Sequence, residues 1–114
     1  MLPVARRLKR SGDFSDVFRA GSRAGNQSVV VHVRRLPNDP PGTSRVGFVV
    51  SKQVGNSVTR NRVKRRLRHL ACTLEHPFPS AVVVRALPAA ATESGQLGDD
   101  LRHAWDKAHR RAAA

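Results

Sequence analysis

RVGFVVSKQVGNSVTRNRVKRRLRHL, Arg45 to Leu70, decides the architecture of this chain. It opens with RVGFVVSK, Arg45 to Lys52, a β-branched apolar run that predicts a strand. After Gly55 the period changes. Val63, Leu67, Leu70 and Leu74 recur at 0, +4, +7 and +11, which predicts an amphipathic helix from Ser57 or Thr59 to about Glu75. Off that apolar stripe fall Arg62, Lys64, Arg65 and Arg68, with Arg60 and Arg66 at its flanks. From Pro40 to Leu74 there is no Asp or Glu, against eight Lys or Arg, six of them between Arg60 and Arg68. Like charges crowded on one face cost stability, so an external polyanion that offsets them is expected.

Working outward, Ser11 is a candidate N-cap with Asp13 in the first turn. Phe14, Val17 and Phe18 share one face of a helix predicted over residues 11–20, and Gly21 ends it. QSVVVHVRRL, residues 27–36, predicts a strand, and PNDPPGTS, residues 37–44, a loop. Pairing across that loop would make an antiparallel hairpin with the Arg45 strand. A weaker strand is expected in residues 1–10 or 22–26. Pro77 and Pro79 close the basic helix. SAVVVRAL, residues 80–87, predicts a buried strand, and residues 88–95 a loop. Leu97, Leu101, Ala104, Trp105 and Ala108 line a final amphipathic helix, with fraying expected over residues 110–114.

The 114 residues suit a single domain, residues 1–114, with a basic arm at 1–10. A net charge of +13 points to nucleic acid first and an anionic membrane surface second. No apolar run approaches the roughly 20 residues of a membrane span, and the N-terminus lacks the apolar core of a signal peptide. Cys72 is the sole cysteine, so no internal disulfide forms, which fits a reducing, cytoplasmic setting.

The basic helix is the leading candidate for chemistry. Arginine forks contact phosphate bidentately and stack on bases. Asn56 and Asn61 add neutral donors and acceptors, and Gly55 to Ser57 enters a helix N-terminus that attracts anions. Spacing alone favours core packing for Phe14 and Phe18, with base stacking as the alternative. His69, Cys72 and His76 share one helix side but lack a fourth ligand, a poor zinc pattern. The acids are scattered apart from Asp99 and Asp100, so no carboxylate cluster for a metal-dependent nuclease is evident. No catalytic residue and no metal site are expected in the chain. A general RNA-binding or ribosomal protein and a protein-only nuclease remain the competing classes.

The run KQVGNSVTRNRVKRRLR, Lys52 to Arg68, resembles the signature of the bacterial ribonuclease P protein component. So do the basic arm, the Asp13–Gly21 helix, the Val46-Gly47 strand running into Ser51-Lys52, and the VVV strand at 82–84. The resemblance implies an α+β fold: a small two-layer sandwich, about four strands and three helices, with a left-handed βαβ crossover around the RNR helix. That hand opposes the common rule. It implies a protein subunit that assists a catalytic RNA in cleaving the 5′ leader from precursor tRNA, with Mg2+ held through the RNA. By position, Asn56, Arg60, Asn61, Arg62, Lys64, Arg65 and Arg68 would bind the RNA subunit. Phe14, Phe18, Val31 and Lys52 would bind the leader. The implied protein is a cytoplasmic monomer when free of ribonuclease P RNA and precursor tRNA, with no membrane partner. Gln53 stands where many relatives are basic, Ser57 where Ala is commoner, and Arg85 one position before the usual basic residue. Val30, Val31 and His32 occupy a strand where some relatives carry an aromatic.

Overall fold

A computed structural model describes residues 17–19, 21–40, 42–92 and 95–113 of the chain. Its strands are β1 (Ser22–Gly25), β2 (Val29–Arg35), β3 (Arg45–Val50) and β4 (Ser80–Ala86). Its helices are α1 (Ser57–Ala71), the short α2 (Ala89–Thr92) and α3 (Leu97–Ala113), with a 3-10 turn at Lys52–Val54. The four strands form one mixed sheet in the order β1-β2-β4-β3.

The expected hairpin between β2 and β3 does not form. β4 lies between them, antiparallel to β2 and parallel to β3. The physical reason is visible in β4 itself. It is buried at every position except Arg85, so it satisfies two apolar faces at once and belongs in the middle. β2 and β3, joined by a loop too long for a tight turn, each take one side of it. The weaker strand is β1, which pairs antiparallel with β2.

Pleat parity sorts the strand residues onto two faces. Val29, Val31 and Val33 of β2, Val82 and Val84 of β4, and Val46 and Phe48 of β3 face the main core. Against them pack Val63, Leu67 and Ala71 of α1 and Leu97, Leu101, Ala104, Trp105 and Ala108 of α3. The stripe read from the α1 sequence is therefore the buried one, with Leu70 and Leu74 partly buried at its edge. On the other face Val17 packs with Ala81 and Val83. Residues 17–19 are the helical part of the expected first helix that the structure describes; residues 1–16, including the basic arm, lie outside it.

Two glycines are required by geometry. Gly21 donates to the Val17 carbonyl at 2.9 Å, and a Cβ there would lie 2.4 Å from the Val17 oxygen and 2.8 Å from that of Val33. Gly55, at φ 156°, joins the 3-10 turn to α1, and a Cβ would meet Thr59 at 2.8 Å. Asn56 then caps α1, its side chain accepting from the Thr59 amide at 2.9 Å.

α3 runs through Ala113, into the segment where fraying is expected. Arg111 donates to the Arg23 carbonyl at 2.6 Å, and Ala112 packs against the core. The other end of α3 is fixed by the turn between β1 and β2. There Asn26 donates to the Asp100 carbonyl at 2.9 Å, and the buried Ser28 hydroxyl donates to the Asp100 carboxylate.

A polar chain crosses the core beside Trp105. His109 is 2% exposed and donates through Nδ1 to the Trp105 carbonyl at 2.7 Å, which leaves Nε2 to accept from Ser80 Oγ at 3.3 Å. Ser80 Oγ in turn accepts from His76 Nδ1 at 2.9 Å. Burial pushes the His109 pKa below its ordinary value of 6.5, against the raising effects of the Trp105 carbonyl and Asp106. The unfolded chain then binds more protons than the folded one just below pH 6.5. Stability is expected to be full above that value and to fall as pH drops through it; denaturant titrations across the window check this. His109→Gln should flatten the slope, and an unflattened slope contradicts the assignment.

Candidate RNA interface and a second cleft

The residues expected to hold an RNA subunit all lie on or at the cap of α1, but not equivalently. Asn61, Arg62 and Arg65 are exposed, while Arg60, Lys64 and Arg68 are half-buried. Arg60 and Lys64 share a hollow of about 270 Å³ with Val50, Ser57 and Asn61. In it Arg60 donates to the Ser57 hydroxyl at 3.2 Å, while its buried Nε has no hydrogen-bond partner among the described residues. A buried guanidinium N–H without an acceptor is costly, and a phosphate oxygen would satisfy it. Arg62 lies in a separate hollow of about 430 Å³ with Val63, Arg66, Ala90 and Ala91. Arg66 was not among the expected site residues; its place four residues after Arg62 was the signal available. Asn56 is exposed, but its side-chain oxygen is engaged by the cap, so the expected anion site at this helix start is partly closed by the chain itself.

The second constellation lies on the opposite face of the sheet from α1. Phe18 is 41% exposed, and its ring meets His32 edge-on at 4.7 Å between centroids and 86° between planes. Across the sheet, His32 is flanked by Arg23 of β1 and Val83 of β4, and Val30 by Gly25 and Arg85. Lys52 is exposed just beyond the end of β3. Phe14 lies outside the described residues.

Val31 does not belong to this cleft, contrary to what the resemblance implies. It is 0% exposed and part of the main core, because alternation places it with Val29 and Val33. Its neighbours Val30 and His32 face the cleft instead, together with Arg23 and Arg85. The signal that locates them is parity: once the apolar set 29, 31 and 33 is taken as the core face, 30 and 32 must point the other way.

His69, Cys72 and His76 do not converge. Cys72 is exposed and His76 is engaged with Ser80. Among the described residues, no group of three or more His, Cys, Asp or Glu is placed to hold a metal ion, and no helix is long and apolar enough to cross a membrane.

The family model described as Ribonuclease P matches residues 2–109. The ribonuclease P protein component of Streptomyces bikiniensis is 52% identical over 110 residues, covering 89% of this chain and 89% of that one. That of Kocuria rhizophila is 51% identical over 116 residues, covering 99% of this chain and 100% of that one. Among solved structures, the RNase P protein of Staphylococcus aureus superposes with a TM-score of 0.80 at 28% identity, covering 91% of this chain and 95% of that one. The RNase P protein of Thermotoga maritima gives 0.70 at 26% identity, covering 91% and 96%.

Proposed function

This chain belongs to the ribonuclease P protein family, and from that premise we propose how its two faces divide the work of tRNA 5′ processing. The protein is a subunit of a ribonucleoprotein endoribonuclease whose catalytic centre lies in the RNA. The exposed face of α1 holds that RNA: Asn61, Arg62 and Arg65 outermost, with Arg60, Lys64 and Arg68 beside them. The observation that carries this reading is the buried Arg60 Nε, which has no acceptor among the described residues, within an acid-free basic helix. The cleft formed by Phe18, His32, Arg23 and Arg85 receives the single-stranded 5′ leader of precursor tRNA, with Lys52 at its margin. Bases stack on Phe18 and phosphates meet the arginines.

Magnesium acts through the RNA. Mg2+ prefers hard oxygen ligands such as phosphates, and a positively charged helix face draws in phosphates rather than cations. The protein raises the local concentration of substrate and steadies RNA folds that bind the metal, with no side chain of its own in the chemical step.

The test combines the protein with a cognate bacterial ribonuclease P RNA and precursor tRNA at low magnesium. Stimulated 5′ cleavage is expected; no stimulation sinks the proposal. Selective binding of precursor over mature tRNA separates it from general RNA binding. Within that assay, Phe18→Ala should weaken precursor binding by about 1–3 kcal/mol, the usual worth of a stacked base. Mature tRNA should bind as before. Because Phe18 is 41% exposed, melting should change little; a drop in melting with leader binding intact would make it a packing residue.

A further inference from the structure

His32 is 6% exposed, and its Nε2 is buried with no hydrogen-bond partner among the described residues. A buried imidazole with an open nitrogen is unfavourable unless something uses it. Its surroundings are cationic. Arg23 faces it from β1, Arg85 lies diagonally on β4, and Arg34 follows two residues along β2. β3 contributes Gly47 and Val49 on this side, and the helical turn contributes the edge of Phe18. None of the four strands contains an Asp or Glu.

We propose that His32 is a proton-linked positioning residue of the leader cleft: a phosphodiester drawn between Arg23 and Arg85 causes the imidazole to take up a proton from solvent. The inference rests on the reading of this face as the leader site. In the free protein, burial first, and then Arg23 and Arg85, hold the His32 pKa below 6.5. An entering phosphodiester brings negative charge beside both guanidinium groups and removes the repulsion that disfavours imidazolium. Protonated His32 then adds a third positive group to the site and fixes the ring that Phe18 abuts. Linkage is reciprocal: if leader binding promotes protonation, protonation promotes leader binding. Affinity for leader-bearing substrate therefore rises as pH falls, while that for mature tRNA does not follow it.

The experiment uses the holoenzyme with a non-cleavable precursor tRNA and with mature tRNA, across about pH 5 to 8. The ratio of the two affinities is expected to fall several-fold as pH rises, no more steeply than about tenfold per pH unit. His32→Gln should make the ratio independent of pH. Calorimetry of the unaltered holoenzyme in buffers of different ionisation enthalpy should show more proton uptake with precursor than with mature tRNA. That measurement stands even if the variant fails to fold. A pH-independent ratio with equal proton uptake overturns the proposal, as does a slope that survives His32→Gln. Equal affinity for the two tRNAs at every pH overturns the leader-cleft reading itself.

Discussion

Replacing Arg60 and Arg62 together with alanine is expected to weaken binding to ribonuclease P RNA by about 3 kcal/mol or more, roughly a hundredfold. The two side chains occupy different hollows on the two sides of α1, so each is assigned its own phosphates. Charge-assisted contacts of this kind are worth about 1.5–3 kcal/mol each. The slope of log affinity against log salt should fall by about two, one for each lost phosphate contact. Melting should be nearly unchanged. Arg62 is exposed, and removing Arg60 also removes an unsatisfied buried donor. An unaltered salt slope contradicts the phosphate assignment, whatever the affinity does.

Trp105→Ala is expected to have the largest effect on stability. Trp105 is 1% exposed, and its Nε1–H donates to the Glu75 carbonyl at 2.9 Å. Its ring meets those of His76 at 5.1 Å and His109 at 5.0 Å. Large-to-small substitution of a buried Trp costs about 3–5 kcal/mol, a large part of the about 5–15 kcal/mol that holds a domain together. The variant should melt many degrees lower, with loss of the His109-linked pH slope as the polar chain loosens. Trp105→Phe keeps most of the apolar area and should recover much of the loss. If alanine costs less than about 1 kcal/mol, the ring does not anchor α3 to the segment after α1.

The helices were legible because their apolar periods are long. Val63 and Leu67 in α1, and Leu97, Leu101, Ala104, Trp105 and Ala108 in α3, are all buried as their spacing predicts. The strands were legible as strands, but their order was not. Proximity in sequence favoured a hairpin between β2 and β3, whereas the continuous apolar character of SAVVV marked β4 as central. Two-sided burial outweighed closeness along the chain. Within the site, charge located the α1 face, because an acid-free run stands out in one dimension. The resemblance carried Val31 into the cleft by position, whereas strand parity puts it on the opposite side of the sheet. Arg23 and Arg85 joined it only through cross-strand register, which no local pattern of β1 reveals. The contacts at the end of α3 were illegible for a related reason. Its stabilising bond runs from Arg111 to the backbone of Arg23, far away in sequence.

The central place of β4 also governs the order in which this molecule can assemble. β2 finishes at Arg35 with β1 already beside it, but its other neighbour, β4, which is also the strand beside β3, begins only at Ser80. Until the ribosome has released that later segment, β2 and β3 have no common neighbour, and the basic helix between β3 and β4 has no completed sheet to dock on. Closing such a distant pairing is slow compared with forming the helix itself. During synthesis, therefore, the cationic segment emerges before the scaffold that orients it, and RNA met in that interval would encounter charge without shape. Pulsed hydrogen exchange on nascent chains of increasing length should show β3 amides gaining protection only once β4 has emerged.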